Sequence, residues 1–235
     1  MKKSLVLILA LAMITVLCNP VLAAETSTDS FASSGALVAT PEEIAEAAAE
    51  FDPNKFDFLD EAPATRATWY VIGVTYYGQE KSTSCGPASA RMMLKYLTGT
   101  TYSESTIRNN MSGWSSSSGV TLANLIKYVH EKQNDYSYTK YYGSSRSYIF
   151  DGFISAIRYS KAAPVCGVKE QTSAGFPYNL SGHFIVIAGV AADSSAVRVM
   201  DPWAGYMGDS GNKVYDLSSS NLMTGYAATY IGVAF

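Results

Sequence analysis

The chain has 235 residues, 48% of them hydrophobic, with a formal net charge of −3 at neutral pH. That is enough apolar residue for one core of ordinary size, and the charged residues form no basic cluster, which argues against nucleic acid as the main partner. Three cysteines are too few for a disulfide scaffold.

Lys2 and Lys3 precede an apolar run from Leu5 to Leu17, and Val21-Leu22-Ala23 ends on a small residue. This is the pattern of a secretory signal peptide over residues 1–23. The run is shorter than the ~20 residues a membrane span needs and is followed by Asn19 and Pro20, so no stable span is expected. Leu17 stands where a small residue would precede a lipidated cysteine, which counts against Cys18 as an anchor. Removing the signal leaves 15 basic residues against 20 acidic ones, a formal charge of −5, as suits a secreted, extracellular or cell-surface protein. Of the cysteines, Cys85 and Cys166 remain; they either pair or, as the context of Cys85 favours, stay free.

Residues 24–40 are rich in Ser, Thr and Ala with no apolar period, the composition of a flexible leader. Thr40-Pro41-Glu42-Glu43 then predicts a helix start with a capping box, running to about Glu50. Phe51 to Arg66 alternates acidic and aromatic residues with two prolines. It reads either as a pro-segment lying over a cleft until cleavage near Arg66, or as a spacer. Residues 24–66 are therefore a leader or pro-segment with a short helix, and 67–235 the main domain.

Within that domain, Trp69 to Tyr77 is rich in β-branched and aromatic residues and predicts a strand that delivers Gln79. Six residues later Cys85 opens an amphipathic helix with Pro87 in its first turn and Gly99 as C-cap. At a helix N-terminus the dipole favours thiolate over thiol, and unpaired first-turn N–H groups can bind an oxyanion. Cys85 is on these grounds a candidate nucleophile. Short helices are expected over Ser103–Met111, from Thr121 to about His130, and from Phe150 to about Ser160. The tyrosines from Tyr136 to Tyr148 suit either a wet recognition surface or, the preferred reading, the ordinary Tyr-rich surface of a secreted protein. Strands are expected over Val165–Val168, His183–Val190, Ala196–Met200, Lys213–Leu217 and Ala227–Phe235.

Two histidines occur. His130 lies among charged residues at a helix end and is expected to be solvated or to interact with the dipole. His183 is the polar end of a buried row with Ile185 and Ile187, because side chains alternate along a strand. Asp201 ends the following strand. If the hairpin turns about Ala192, Asp201 lies across from His183; if it turns about Ser194, the two are about four residues out of register. In the functional reading Asp201 orients the imidazole so that its other nitrogen faces Cys85, and Gln79 donates its amide to an oxyanion beside the Cys85 N–H.

The segments QEKSTSCGPAS, GHFIVIAGV and VMDPW, in that order, resemble the papain-like C39 peptidase family, in the C39-like branch found as secreted or surface proteins of bacteria. The resemblance covers Trp69 to the C-terminus. It implies an α+β, papain-like fold with a helical half carrying the nucleophile helix and an antiparallel sheet half. It further implies Cys85 as nucleophile, His183 as general base and acid, Asp201 as orienter and Gln79 as oxyanion donor. No metal or cofactor is implied, and the partner is a peptide or protein substrate of a monomeric enzyme. Founding members cleave leader peptides after double glycine and are fused to a transporter. This sequence shows neither a transmembrane region nor an ATP-binding domain, so that substrate does not carry over. A secreted thiol peptidase is the expectation; a cell-wall amidase, a binding module without turnover, and a domain stapled by Cys85 and Cys166 are its rivals.

Overall fold

The structure is a computed structural model that describes residues 32, 34–56, 59, 68–133, 135–208, 211–227, 229 and 231–235. The expected signal peptide and the processing point near Arg66 lie outside them. The chain forms α1 (Pro41–Ala49), β1 (Trp69–Val71), α2 (Cys85–Thr98), α3 (Glu104–Asn110), α4 (Leu122–Lys132), β2 (Lys140–Tyr141), α5 (Arg146–Ile154), β3 (Val165–Glu170), β4 (Leu180–Ala191), β5 (Ala196–Met200), α6 (Trp203–Tyr206), β6 (Val214–Ser218), α7 (Ser219–Ala227) and β7 (Val233–Ala234). A π-helical stretch, Ser155–Ser160, continues α5. Among these helices none is long and apolar enough to cross a membrane.

Seven strands form one antiparallel sheet in the order β2-β7-β3-β4-β5-β6, with β1 also on β4. The long β4 is its spine, buried from Gly182 to Ala191 on both faces, as its unbroken apolar spelling predicts. α2 packs against α4, α3 and β4, so the helical half meets the sheet along the helix that begins at Cys85. Ala88, Ser89, Met92 and Met93 are buried there, and Gly99 at φ 71° closes the helix in the left-handed conformation a C-cap favours.

The strand expected over Trp69–Tyr77 stops at Val71. Its pairing with Gly189–Ala191 puts it on the same edge of β4 that β3 occupies from Val186 onward. Continued in register, residue 74 would reach Val186, where Val165 already pairs, so the chain leaves the sheet and reaches Gln79 without regular secondary structure. The expected Ala227–Phe235 strand is reduced to Val233–Ala234; its first residue, Ala227, is instead the last of the helix Ser219–Ala227, which packs on β3.

Tyr138 and Tyr148 are core residues rather than wet surface. Tyr148 sits among Phe51, Phe56, Tyr141 and Phe235 with ring centroids 4.7–5.8 Å apart, three of the pairs tilted and the one with Phe235 edge-on, spacings at which aromatic pairs attract. His130 is not simply solvated: its Nε2 accepts the Tyr138 backbone N–H at 2.9 Å, and burial, then Lys140, lower its pKa.

Candidate active site

Cys85 is the first residue of α2, and its N-cap, Ser84, makes no side-chain cap. The Ser84 hydroxyl instead holds the preceding turn, accepting from Lys81 N–H at 3.0 Å and donating to Lys81 O at 2.9 Å. Pro87 has no N–H, so the first-turn donors are those of Cys85 and Gly86, the groups that can face a developing oxyanion. The loop ahead is fixed from outside by buried Glu104, whose two oxygens accept the Glu80 N–H at 3.1 and 3.0 Å. Cys85 and Cys166 are both free and buried.

The thiol makes backbone hydrogen bonds with Phe184 and Gly86, and these lower its pKa. Burial acts more strongly and raises it to about 12. The thiolate expected from the helix dipole is therefore not the resting form here: at 0% exposure, loss of solvation outweighs the helix terminus.

Phe184 follows His183, so the thiol lies beside the residue expected to be its base. His183 Nε2 and Asp201 Oδ1 are 2.8 Å apart with both side chains fully buried, whereas His183 Nδ1 is buried with no partner among the described residues. One nitrogen is thus held by a carboxylate and the other is open. The hairpin register lies between the two expected alternatives: Val186 faces Met200 after a bulge between Ile187 and Gly189. Continued by one residue, this puts Asp201 opposite Ile185. His183 is two places along on the same face, the diagonal neighbour whose side chain is still within reach.

Asp201 is held on every side. The Trp203 N–H donates to its Oδ1 at 2.8 Å, the Tyr215 hydroxyl donates to its Oδ2 at 3.3 Å, and the Trp203 ring stands edge-on to His183 with centroids 6.3 Å apart. Pro202 O accepts the Gln79 N–H at 2.9 Å, which ties the loop before Cys85 to the turn after Asp201. Gln79 is buried beside this turn, but its amide is turned onto its own loop, donating to Lys81 O at 2.7 Å and Ser82 O at 3.1 Å. Donation to an oxyanion requires one of these bonds, the longer one to Ser82, to be released.

Sequence reasoning missed Glu170. It is fully buried at the end of β3, and its Oε1 lies 3.4 Å from the same Tyr215 hydroxyl, whose one proton the two carboxyls share. Burial first, then the charge and hydrogen bond of Asp201, push its pKa well above the usual carboxylate range, which favours its protonated form. Two carboxyls can share one interior pocket when one of them keeps its proton. Glu170, His183 and Asp201 each place a possible metal-ligand atom within 4.8 Å of the others. The direct His183–Asp201 hydrogen bond already links two of the three, and the geometry is that of a proton-sharing group.

A profile of the Peptidase_C39 like family matches residues 71–231, a span that contains all four predicted site residues. No curated protein matches the chain. Among solved structures, the proform of the ragweed pollen allergen Amb a 11, a cysteine protease, is similar at 13% identity and TM-score 0.51, over 87% of this chain and 74% of that one. Procathepsin L2 proteinase from the larval midgut of Tenebrio molitor is similar at 12% identity and TM-score 0.51, over 78% and 71%. The peptidase domain of Streptococcus ComA, a bi-functional ABC transporter, aligns at 16% identity and TM-score 0.46, over 69% and 96%. The chain belongs to the Peptidase_C39 like family and is a cysteine peptidase with a papain-like fold.

Proposed function

We propose that this cysteine peptidase is secreted and cleaves peptide bonds in protein through an acyl-thioester on Cys85. One observation carries the assignment: His183 is bound to Asp201 through one ring nitrogen and open at the other, beside the Phe184 amide that touches the Cys85 thiol. In the reaction, His183 Nδ1 takes the thiol proton and the sulfur attacks the scissile carbonyl, whose oxyanion is met by the Cys85 N–H and an N–H released by Gln79. As the C–N bond breaks, the imidazolium passes its proton to the leaving amine. Water then adds to the thioester, giving one proton to His183; the C–S bond breaks, and the proton returns to sulfur as the acid leaves. Asp201 holds the ring in the productive tautomer and stabilises the imidazolium between these steps.

Secretion is supported by Lys2, Lys3, the Leu5–Leu17 run and the small residue Ala23. Parallel digests of casein and of purified peptidoglycan test the substrate class. Casein fragments that disappear with Cys85→Ala are the expected result; release of stem-peptide amines from peptidoglycan with casein intact would instead make the enzyme a cell-wall amidase.

A further inference from the structure

The chain's own N-terminal segment passes between the two banks of the site. On the sheet side, the Ala36 N–H donates to Gly182 O at 3.2 Å, the Ser34 hydroxyl donates to the same oxygen, and the Ser181 N–H donates to Ala32 O at 3.0 Å. On the helical side, the Leu37 N–H donates to Val120 O and the Val120 N–H to Gly35 O, both at 2.9 Å. Gly182 immediately precedes His183, and Thr83, which also borders the segment, lies two residues before Cys85.

The passage has no room to spare. A Cβ on Gly35 would overlap the Thr83 carbonyl, one on Gly119 would overlap the backbone of Gly35, and one on Gly182 would meet the Ala36 carbonyl. Gly35 and Gly119 also have φ of +94° and +87°, a region costly for any other residue. Ser34 and Gly35 are buried within the passage; Cys85 and His183, the neighbours of the residues that line it, are buried too. The far end is pinned by α1, where the Thr121 hydroxyl donates to Glu43 at 2.6 Å, one residue beyond Val120.

These backbone groups, Gly182 O on one bank and Val120 N–H and O on the other, are what an extended peptide needs for binding by main-chain hydrogen bonds. We propose that the gap between Gly182 and Val120 is the peptide-binding cleft, that Ser34–Leu37 is its resident occupant, and that the full chain is latent until this segment withdraws. The proposal rests on the assignment of Cys85 and His183 to catalysis. A substrate and the segment compete for the same donors and acceptors, so catalytic competence is limited to the fraction of molecules with the cleft open. Because the segment is held against Thr83 on one side and Gly182 on the other, its withdrawal opens the chain on the approach to Cys85 and His183.

The test compares the full chain with Gly35→Leu, whose side chain the Thr83 carbonyl excludes, and with Ala36→Pro, which lacks the N–H given to Gly182. Each protein is treated with iodoacetamide at neutral pH and the labelling of Cys85 and Cys166 is followed by peptide mass. Cys85 should react at least about tenfold faster in both variants while Cys166, buried in β3, stays unlabelled. A synthetic peptide of residues 32–40 should slow Cys85 again. If a variant labels both cysteines alike it has unfolded, and the other variant decides. Unchanged Cys85 labelling in folded variants, with casein digestion no faster than in the full chain, overturns the latency and leaves the peptidase assignment standing. Fast, peptide-suppressible labelling without any hydrolysis supports the occupied cleft and overturns the assignment on which it rests.

Discussion

At the scale of single residues, the site is a short chain of hydrogen bonds whose members differ in how plainly they are written. Cys85, His183, Asp201 and Gln79 were legible because each is a chemically distinctive residue at the edge of an apolar segment. Glu170 was not: it follows half-exposed Lys169 at a strand end, where a carboxylate ordinarily meets water. Only the fold, which brings Asp201 and Tyr215 against it, turns it into an interior acid. Because its folded pKa is raised, its contribution to stability is complete below pH 4.5 and is lost as pH rises toward the folded value, the unfolded chain ionising first. Glu170→Gln should therefore flatten the fall of melting temperature above pH 4.5, and its amide, which can still donate to Asp201, should preserve activity that Glu170→Ala loses. A parallel pH dependence in wild type and Glu170→Gln would show that Glu170 holds no interior proton. For Gln79, Gln79→Ala should lower kcat by about 10²- to 10³-fold, or about 3 kcal/mol, if the amide serves the oxyanion. A variant with normal kcat and only lower stability would confine Gln79 to bracing its loop.

Elements were easier to recognise than to bound. The caps of α1 through α4 are spelled locally by Thr40, Ser103, Thr121 and Gly99, and the helices begin and end there. The ends of strands are set by competition for β4, which no local spelling records: β3 displaces β1 from Val186 onward. Helix α7 fell between two expected strands and was not foreseen, because its Ser-, Ala- and Tyr-containing sequence has no strong helical period. Close packing at the nucleophile helix has its own signature. A Cβ on Gly86 would overlap Val120 Cγ1, so Gly86→Ala should cost about 1–3 kcal/mol in urea unfolding through overpacking and should displace the thiol. Stability unchanged within error would mean that α2 and Val120 pack less tightly than described. The capping box of α1 should contribute about 1 kcal/mol, lost in Thr40→Ala; since α1 pins the segment in the cleft, the same variant should speed alkylation of Cys85.

Across the whole molecule, the helical half presents the Cys85 thiol and the sheet half presents His183 and Asp201, the proposed base and its carboxylate, joined by the Gln79–Pro202 bond and by α2 on β4. That division was foreseeable from the order of the three motifs. The segment lying between the halves was not, because Ser34, Gly35 and Ala36 are held chiefly through backbone groups and their small side chains carry no apolar pattern. Its composition reads as leader, and its place in the structure follows from how narrow the cleft is. The central claim is that Cys85 carries the acyl group during turnover. The direct measurement is acid quench of a reaction between the Gly35→Leu protein and a peptide ester, followed by mapping of the mass increment. The account predicts one acyl group on Cys85, released by hydroxylamine as a thioester and absent in His183→Ala. Steady turnover by Cys85→Ala, or an acyl group mapped to another residue, would contradict it.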